Sequence, residues 1–172
     1  MARNIEIKAR VENVALLQPT VGKLASEGPL EIAQDDTFFR CDNGRLKLRA
    51  FSLDSGELIF YRRANQRGPK ESFFLRSPTS SPETLRESLS LAYGQIGRIR
   101  KYRTLYLVGR TRVHLDRVEG LGHFLELEVM LVGDEPAETG VREAHELMDQ
   151  LGVQSDQLIE GAYLDLILAQ QP

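Results

Sequence analysis

Polar and apolar residues alternate one for one over residues 4–11. Asn4, Glu6, Lys8 and Arg10 fall on one face of a strand, and Ile5, Ile7, Ala9 and Val11 on the other. The period then changes. Val14, Leu17, Val21, Leu24 and Ala25 recur at helical spacing over residues 13–27, with Pro19 expected to kink or split that helix. Residues 32–39 read as a short strand. The turn Asp42-Asn43-Gly44 leads into a two-periodic run, Arg45-Leu46-Lys47-Leu48-Arg49, and Asp54-Ser55-Gly56 marks a second turn. Residues 57–63 predict a third strand, with Ile59, Tyr61 and Arg63 on one side and Leu58 and Phe60 on the other; residues 71–76 predict a fourth after the loop 65–69.

A polar, Pro-rich stretch from Ser77 to Pro82 opens a helix, with Ser81 at the N-cap, Pro82 at the first helical position and Gly94 at the end. Residues 98–108 and 110–116 predict a hairpin hinged at Gly109. Residues 123–132 alternate again: Phe124, Glu126, Glu128 and Met130 take one face, and Leu125, Leu127, Val129 and Leu131 the other. A helix follows over 135–151, closed by Gly152, and a short frayed helix over 155–169. The string β-α-β-β-β-β-α-β-β-β-α-α predicts an α+β fold with a mostly antiparallel sheet, and neither an internal repeat nor a linker divides residues 1–172 into more than one domain.

The chain has 172 residues, 41% of them apolar, which suffices for a sizeable core. One cysteine excludes a disulfide scaffold or a Cys-rich metal site. No uncharged stretch exceeds ten residues, so no membrane span is expected. The N-terminal segment lacks the apolar core of a signal peptide, and the cytoplasm is the expected location. The net charge of −3 conceals segregation: residues 40–70 hold eight Lys/Arg against three acids, residues 98–117 seven basic residues against Asp116, and residues 118–172 twelve acids against Arg142. Such a division suits a site where a polyanion meets metal-binding carboxylates.

The fine pattern sharpens this picture. Asn4/Glu6/Lys8/Arg10, Arg45/Lys47/Arg49, Lys101/Arg103, Arg112/His114/Asp116 and Glu126/Glu128 all repeat at two-residue spacing, while the opposite strand faces are aliphatic. With helices covering the aliphatic side, the charged side is either a flat solvated face or the lining of a closed barrel. Such a lumen would gather about nine basic groups and four carboxylates, which burial demands be paired. A polyphosphate with one or two divalent cations would meet that demand: Arg and Lys bind phosphoryl oxygens, and Glu126 and Glu128, about 7 Å apart along one strand face, offer oxygen ligands to a hard cation together with Glu6. A nucleic-acid partner is not expected, because the basic residues alternate with aliphatics rather than stacking aromatics.

The same residues resemble the CYTH superfamily, or triphosphate tunnel metalloenzymes, which includes class IV adenylate cyclases, thiamine triphosphatases and inorganic tripolyphosphatases. Asn4, Glu6 and Lys8 stand where the family has Glu-x-Glu-x-Lys. Gln34 to Phe39 resembles the Gln-x-Asp-x-Tyr-Phe strand of the cyclase-like branch, Leu46 to Arg49 its Leu-Arg-x-Arg, and Lys101 and Arg103 a Lys-x-Arg pair. Asp116 to Glu128 matches Asp-x-Val…Leu-Gly-x-Phe-x-Glu-x-Glu, and Tyr163-x-Asp165-Leu166 a C-terminal Tyr-x-Asp-Leu. The resemblance implies an eight-stranded antiparallel closed β-barrel with a charged lumen, helices outside and a triphosphate inside. It implies Mg²⁺ or Mn²⁺ held by Glu6, Asp116, Glu126 and Glu128 as the catalytic set. Lys8, Lys47, Arg49, Lys101 and Arg103 become phosphate clamps, joined by Arg45, Arg63 and Arg112, which share the lumen parity. Gln34 and Asp36 would contact a base or sugar or line the rim, Tyr163 and Asp165 would fix the terminal segment, and His114 faces inward.

The implied activity is cyclase-like conversion of ATP. The alternatives are hydrolysis of tripolyphosphate or of a nucleoside or thiamine triphosphate, and a non-catalytic polyphosphate-binding module. The last is motivated by Asn4, whose amide supplies no negative charge where relatives have glutamate. The partner is thus a triphosphate small molecule, with neither nucleic acid nor membrane and with a homodimer left open.

Overall fold

In the computed structural model, which describes residues 2–171, alternation becomes enclosure. The strands are β1 (Ala2–Val11), β2 (Glu27–Phe39), β3 (Arg45–Ser52), β4 (Ser55–Arg63), β5 (Lys70–Thr79), β6 (Gln95–Val108), β7 (Thr111–Val118) and β8 (Gly122–Met130). Every neighbouring pair is antiparallel, and the order β1-β5-β4-β3-β2-β6-β7-β8 closes on itself through pairing of β1 with β8, Glu6 opposite Glu128 and Lys8 opposite Glu126. The helices α1 (Gln18–Leu24), α2 (Pro82–Tyr93), α3 (Ala137–Leu151) and α4 (Tyr163–Gln170) lie outside this ring. None of the described helices is long and apolar enough to cross a membrane.

The core sits between the ring and its helices. Ile5, Ile7, Val113, Leu115, Leu125, Leu127 and Val129 point outward and pack under Val21 of α1 and Ala144, Leu147, Met148 and Leu151 of α3. Burying this aliphatic face fixes the register, because a one-residue slip of any strand would exchange it for the charged face. A second cluster closes one end of the ring. Tyr163 and Leu164 of α4 pack on Phe38, Ile99, Val118, Leu121 and Phe124. Asp165 anchors the same helix through two hydrogen bonds from Arg45, at 2.7 and 2.8 Å.

Element types follow the alternation; several boundaries do not. Residues 13–27 divide into a 3₁₀ turn, Val14–Leu16, and α1, with Pro19 in its first turn, where a missing N–H is harmless. The strand expected over 32–39 starts at Glu27, and that over 98–108 starts at Gln95, because the two pair with each other along nearly their whole length. Ser77-Pro78-Thr79 belongs to β5 rather than to a loop. It pairs with β4 beyond Phe74, where pairing with β1 has ended, so a proline is tolerated on the open side. Ser81 precedes α2 without a side-chain cap, and its own N–H donates to the Thr79 hydroxyl. The last expected helix divides into a 3₁₀ turn, Ser155–Gln157, and α4.

Gly140 lets α3 approach β1 closely, since a Cβ there would lie 2.6 Å from Ile5 Cγ1 and 2.9 Å from Leu131 Cδ2. Gly140→Ala gains about 1 kcal/mol of helix propensity but overpacks a stiff, fully buried isoleucine by about 1–3 kcal/mol. The expected outcome is a net loss of stability, read as a lower denaturant midpoint; a higher midpoint would show that α3 is free to lift.

Candidate functional site

The inward faces of all eight strands enclose a cavity of about 510 Å³. Along β2 its wall runs Phe38, Asp36, Gln34, Ile32, Leu30 away from α4, and along β6 it runs Ile99, Lys101, Arg103, Leu105, Leu107. Along these two strands the wall is aromatic and apolar at the α4 end, ionic in the middle and aliphatic beyond, where Leu105 and Leu107 face His114 and Arg112 of the neighbouring β7 and Glu27 also joins the lining. Eight basic side chains and six carboxylates line it.

The ionic belt has two poles. At the first, Asp36 accepts hydrogen bonds from Arg49 Nε and Nη2, both at 2.8 Å, and lies 3.2 Å from Lys47 Nζ and 3.3 Å from Lys101 Nζ. Burial favours the neutral acid, but Arg49, Lys101 and Lys47 together outweigh it and hold the Asp36 carboxyl well below its usual range. Burial pushes the Lys101 ammonium down to about 7, and burial with the neighbouring Arg49 charge pushes Lys47 down to about 8.

At the second pole stand His114, Glu126 and Glu128. Each can offer one ligand atom such that all lie within 4.8 Å of one another. His114 Nδ1 is 3.4 Å from Glu126 and Arg112 is 3.7 Å from Glu128. Lys8 Nζ is 3.2 Å from Glu126 and sits 3.8 Å above the centre of the Tyr163 ring. Burial would raise the Glu126 carboxyl, but Lys8, His114 and Arg103 hold it well below the usual range, which makes it a poor proton acceptor and a good anionic ligand. Arg103 joins this pole to the barrel's closed end, bonding Glu126 at 3.2 Å and Asp116 twice at 2.8 Å. The Tyr163 hydroxyl donates to Asp116 at 2.8 Å.

The structure thus brings Glu6, Lys8, Lys47, Arg49, Arg63, Lys101, Arg103, Arg112, Glu126 and Glu128 to one cavity. Glu6 is paired with Arg63. Two expected residues stand apart. Arg45 is taken up by Asp165 at the α4 end, and Asp116, fully buried, lies behind Arg103 rather than with Glu126 and Glu128. Asp36 meets cations at the centre rather than at a rim. His114 stands in the second pole at full parity with the carboxylates; its alternation with Arg112 and Asp116 was the available signal. Lys70 had none. Its Nζ is buried against the Gln66 and Glu160 carbonyls, both 3.0 Å away, and depends on a loop contact. Arg10, His145 and Cys41 lie outside the cavity lining, the first two exposed.

A divalent cation fits the second pole. Two carboxylates and an imidazole converge there, and the amide oxygen of Asn4, in the same cavity and 2% exposed as a residue, has no hydrogen-bond donor. Buried carboxylate and amide oxygens are the donors Mg²⁺ and Mn²⁺ take.

The CYTH domain profile matches residues 2–163 of this chain. The adenylate cyclase CyaB of Aeromonas hydrophila is 27% identical over 169 residues, 94% of this chain and 87% of that protein. MJ0240 of Methanocaldococcus jannaschii, provisionally named an adenylate cyclase, is 33% identical over 76 residues, a match that spans 44% of this chain and 43% of that relative. Among solved structures, PH1012 of Pyrococcus horikoshii superimposes with a TM-score of 0.84 at 23% identity, over 95% of this chain and 98% of its own. HpAC1 of Hippeastrum, described by its dominant triphosphatase activity, superimposes with a TM-score of 0.66 at 15% identity, over 100% and 97%.

The two glutamates of the second pole should respond differently to neutralisation. Glu128→Gln is expected to weaken Mn²⁺ binding by at least about tenfold with the melting temperature nearly unchanged, whereas Glu126→Gln also lowers it by leaving Lys8 and Arg103 short of an anion. Titration calorimetry and thermal melts read the two effects; unaltered Mn²⁺ affinity in both variants would remove the cation from this pole.

Proposed function

The chain belongs to the CYTH domain family, and from that premise we propose that it is a divalent-cation-dependent enzyme whose tunnel takes an organic triphosphate, with ATP as substrate and cyclisation as the reaction. The observation that carries this reading is the composition of the wall: a belt of paired cations and a carboxylate–imidazole cluster share the cavity with an aliphatic patch of Ile32, Leu30, Leu105 and Leu107 on β2 and β6, joined by Phe51 of β3. Inorganic tripolyphosphate would leave that patch uncovered, whereas the base and sugar of a nucleotide would bury it. The name of the Aeromonas hydrophila relative agrees with this reading.

In this account Lys47, Arg49 and Lys101 hold one end of the triphosphate, and Lys8, Arg103 and Arg112 hold the part nearer Glu126 and Glu128. Asp116 acts through Arg103, fixing the guanidinium plane with help from the Tyr163 hydroxyl. Glu126, Glu128 and His114, with Asn4 and Glu6 along the wall, would hold Mg²⁺ or Mn²⁺. When bound, the cation supplies neutralisation of the charge that gathers on phosphoryl oxygens. The side chains align the triphosphate so that the ribose 3′-oxygen can bond to the α-phosphorus as the bond from that phosphorus to the β-phosphate oxygen breaks, pyrophosphate leaving and the hydroxyl proton passing to water. Hydrolysis by water at the terminal phosphorus uses the same clamps and is the second reading, which the dominant activity of HpAC1 motivates. Asn4 motivates the third, binding without turnover.

Incubation with ATP, thiamine triphosphate and tripolyphosphate, each with Mg²⁺ or Mn²⁺, separates the three. Cyclic AMP with pyrophosphate is the expected product; orthophosphate would establish the hydrolase, and tight binding without turnover the module. The lysines add a pH signature. A phosphoryl anion favours their charged forms, so binding takes up protons once the free ammoniums, at about 7 and about 8, begin to lose theirs. Metal-free tripolyphosphate affinity, corrected by running Lys101→Met in parallel to cancel the ligand's own titration, is expected to fall as pH rises through that window. A fall in Lys101→Met as steep as in the parent protein, or steeper, would contradict the assignment.

A further inference from the structure

Asp36 is surrounded by groups that a phosphate would also want. Its carboxylate belongs to a residue 1% exposed, and its oxygens take both parallel donors of Arg49 together with the ammoniums of Lys47 and Lys101. A planar carboxylate engaged in this way uses the same charge-assisted contacts that phosphoryl oxygens use. Below pH 7, where both lysines are protonated, one negative charge among three positive ones leaves the pole with an excess of two, enough to attract a polyanion. The three cations sit on two different strands, β3 and β6, and Asp36 on β2 lies between them in the sheet order. Removing the carboxylate therefore removes what holds the three cations together.

We propose that Asp36 is a placeholder anion. In the empty tunnel it holds Lys47, Arg49 and Lys101 converged on one point; when the triphosphate arrives it competes for them and repels it, which limits affinity and favours release of product. It is a positioning residue, acting on substrate through three cations. The inference rests on the reading that the tunnel takes a triphosphate, and it goes further by making a buried acid an antagonist of binding rather than a contact to base or sugar.

Asp36→Asn keeps the shape and one acceptor oxygen while deleting the competing charge. Calorimetry with metal-free tripolyphosphate at pH 5.5–6, well below the window in which Lys101 and Lys47 lose their protons, is expected to give an affinity at least about tenfold higher than the parent protein, as follows from removing a like charge in a partly desolvated site. With metal and the turned-over triphosphate, KM and kcat should both fall, since tighter binding slows release. Asp36→Glu, which restores the charge, should show no such gain. Because three cations left without their carboxylate endanger folding, the comparison is repeated as Lys101→Gln against Lys101→Gln/Asp36→Asn, in which the double variant carries the parent's net charge at this pole; the double variant should again bind more tightly than the single. Equal or weaker binding in Asp36→Asn, or in the double variant if the single does not fold, would overturn the inference. Failure of the parent protein to bind tripolyphosphate or ATP at all would instead overturn the triphosphate reading, and this inference with it.

Discussion

Charges taken out of water must find partners, and this chain takes many of them into the middle of its own sheet. Arg49 and Asp36, Arg103 and Asp116, Lys8 and Glu126, and Arg63 and Glu6 are each paired within the ring. The pairing is incomplete in one direction. Cations outnumber carboxylates along the cavity, and the amide oxygens of Asn4 and Gln34 are buried with no donor. An interior satisfied everywhere would have no use for a guest. This one retains spare donors for an anion and spare acceptors for a cation, which is the state expected of a preorganised binding site.

The ring exists to make that interior tolerable. An open sheet would present its ionic face to water, where the same pairs would contribute little. Closure through β1 and β8 removes the edges and brings Lys8 against Glu126 across the seam. The outer aliphatic face then needs cover, which α1 and α3 provide, and the end of the tunnel needs a stopper, which α4 provides. The stopper also reaches the chemistry. Tyr163, its first residue, places its ring under Lys8 and its hydroxyl on Asp116, so docking of the last helix and the orientation of Arg103 are one arrangement.

Much of this was legible because period-two alternation reports a face directly. Ile5 and Ile7 outward with Glu6 and Lys8 inward, or Leu125 and Leu127 outward with Glu126 and Glu128 inward, are readable from spacing alone. What alternation does not report is height along the barrel. Arg45 and Asp116 have the inward parity of their neighbours, yet one sits at the α4 end on Asp165 and the other behind Arg103, because strand tilt and register set depth independently of face. Strand ends are harder to read for a related reason: Glu27 closes a run at helical spacing and Ser77–Thr79 belongs to a polar, Pro-rich lead-in to a helix, and both are strand only because a distant partner pairs with them. Asp36 was the least legible in role, since its place at the junction of three cations depends on β2 lying between β3 and β6.

The proposed reading places a cation with Glu126, Glu128 and His114, and phosphoryl groups with Lys47, Arg49, Lys101 and Arg103, inside the ring. A crystal structure with Mn²⁺ and a non-hydrolysable ATP analogue, recorded at the manganese absorption edge, tests it directly. The expected result is an anomalous peak bounded by those three side chains and phosphate density along the four cations, with the base against Leu30 and Leu105. Manganese or phosphate bound only on the outer surface, with the tunnel holding neither, would contradict it.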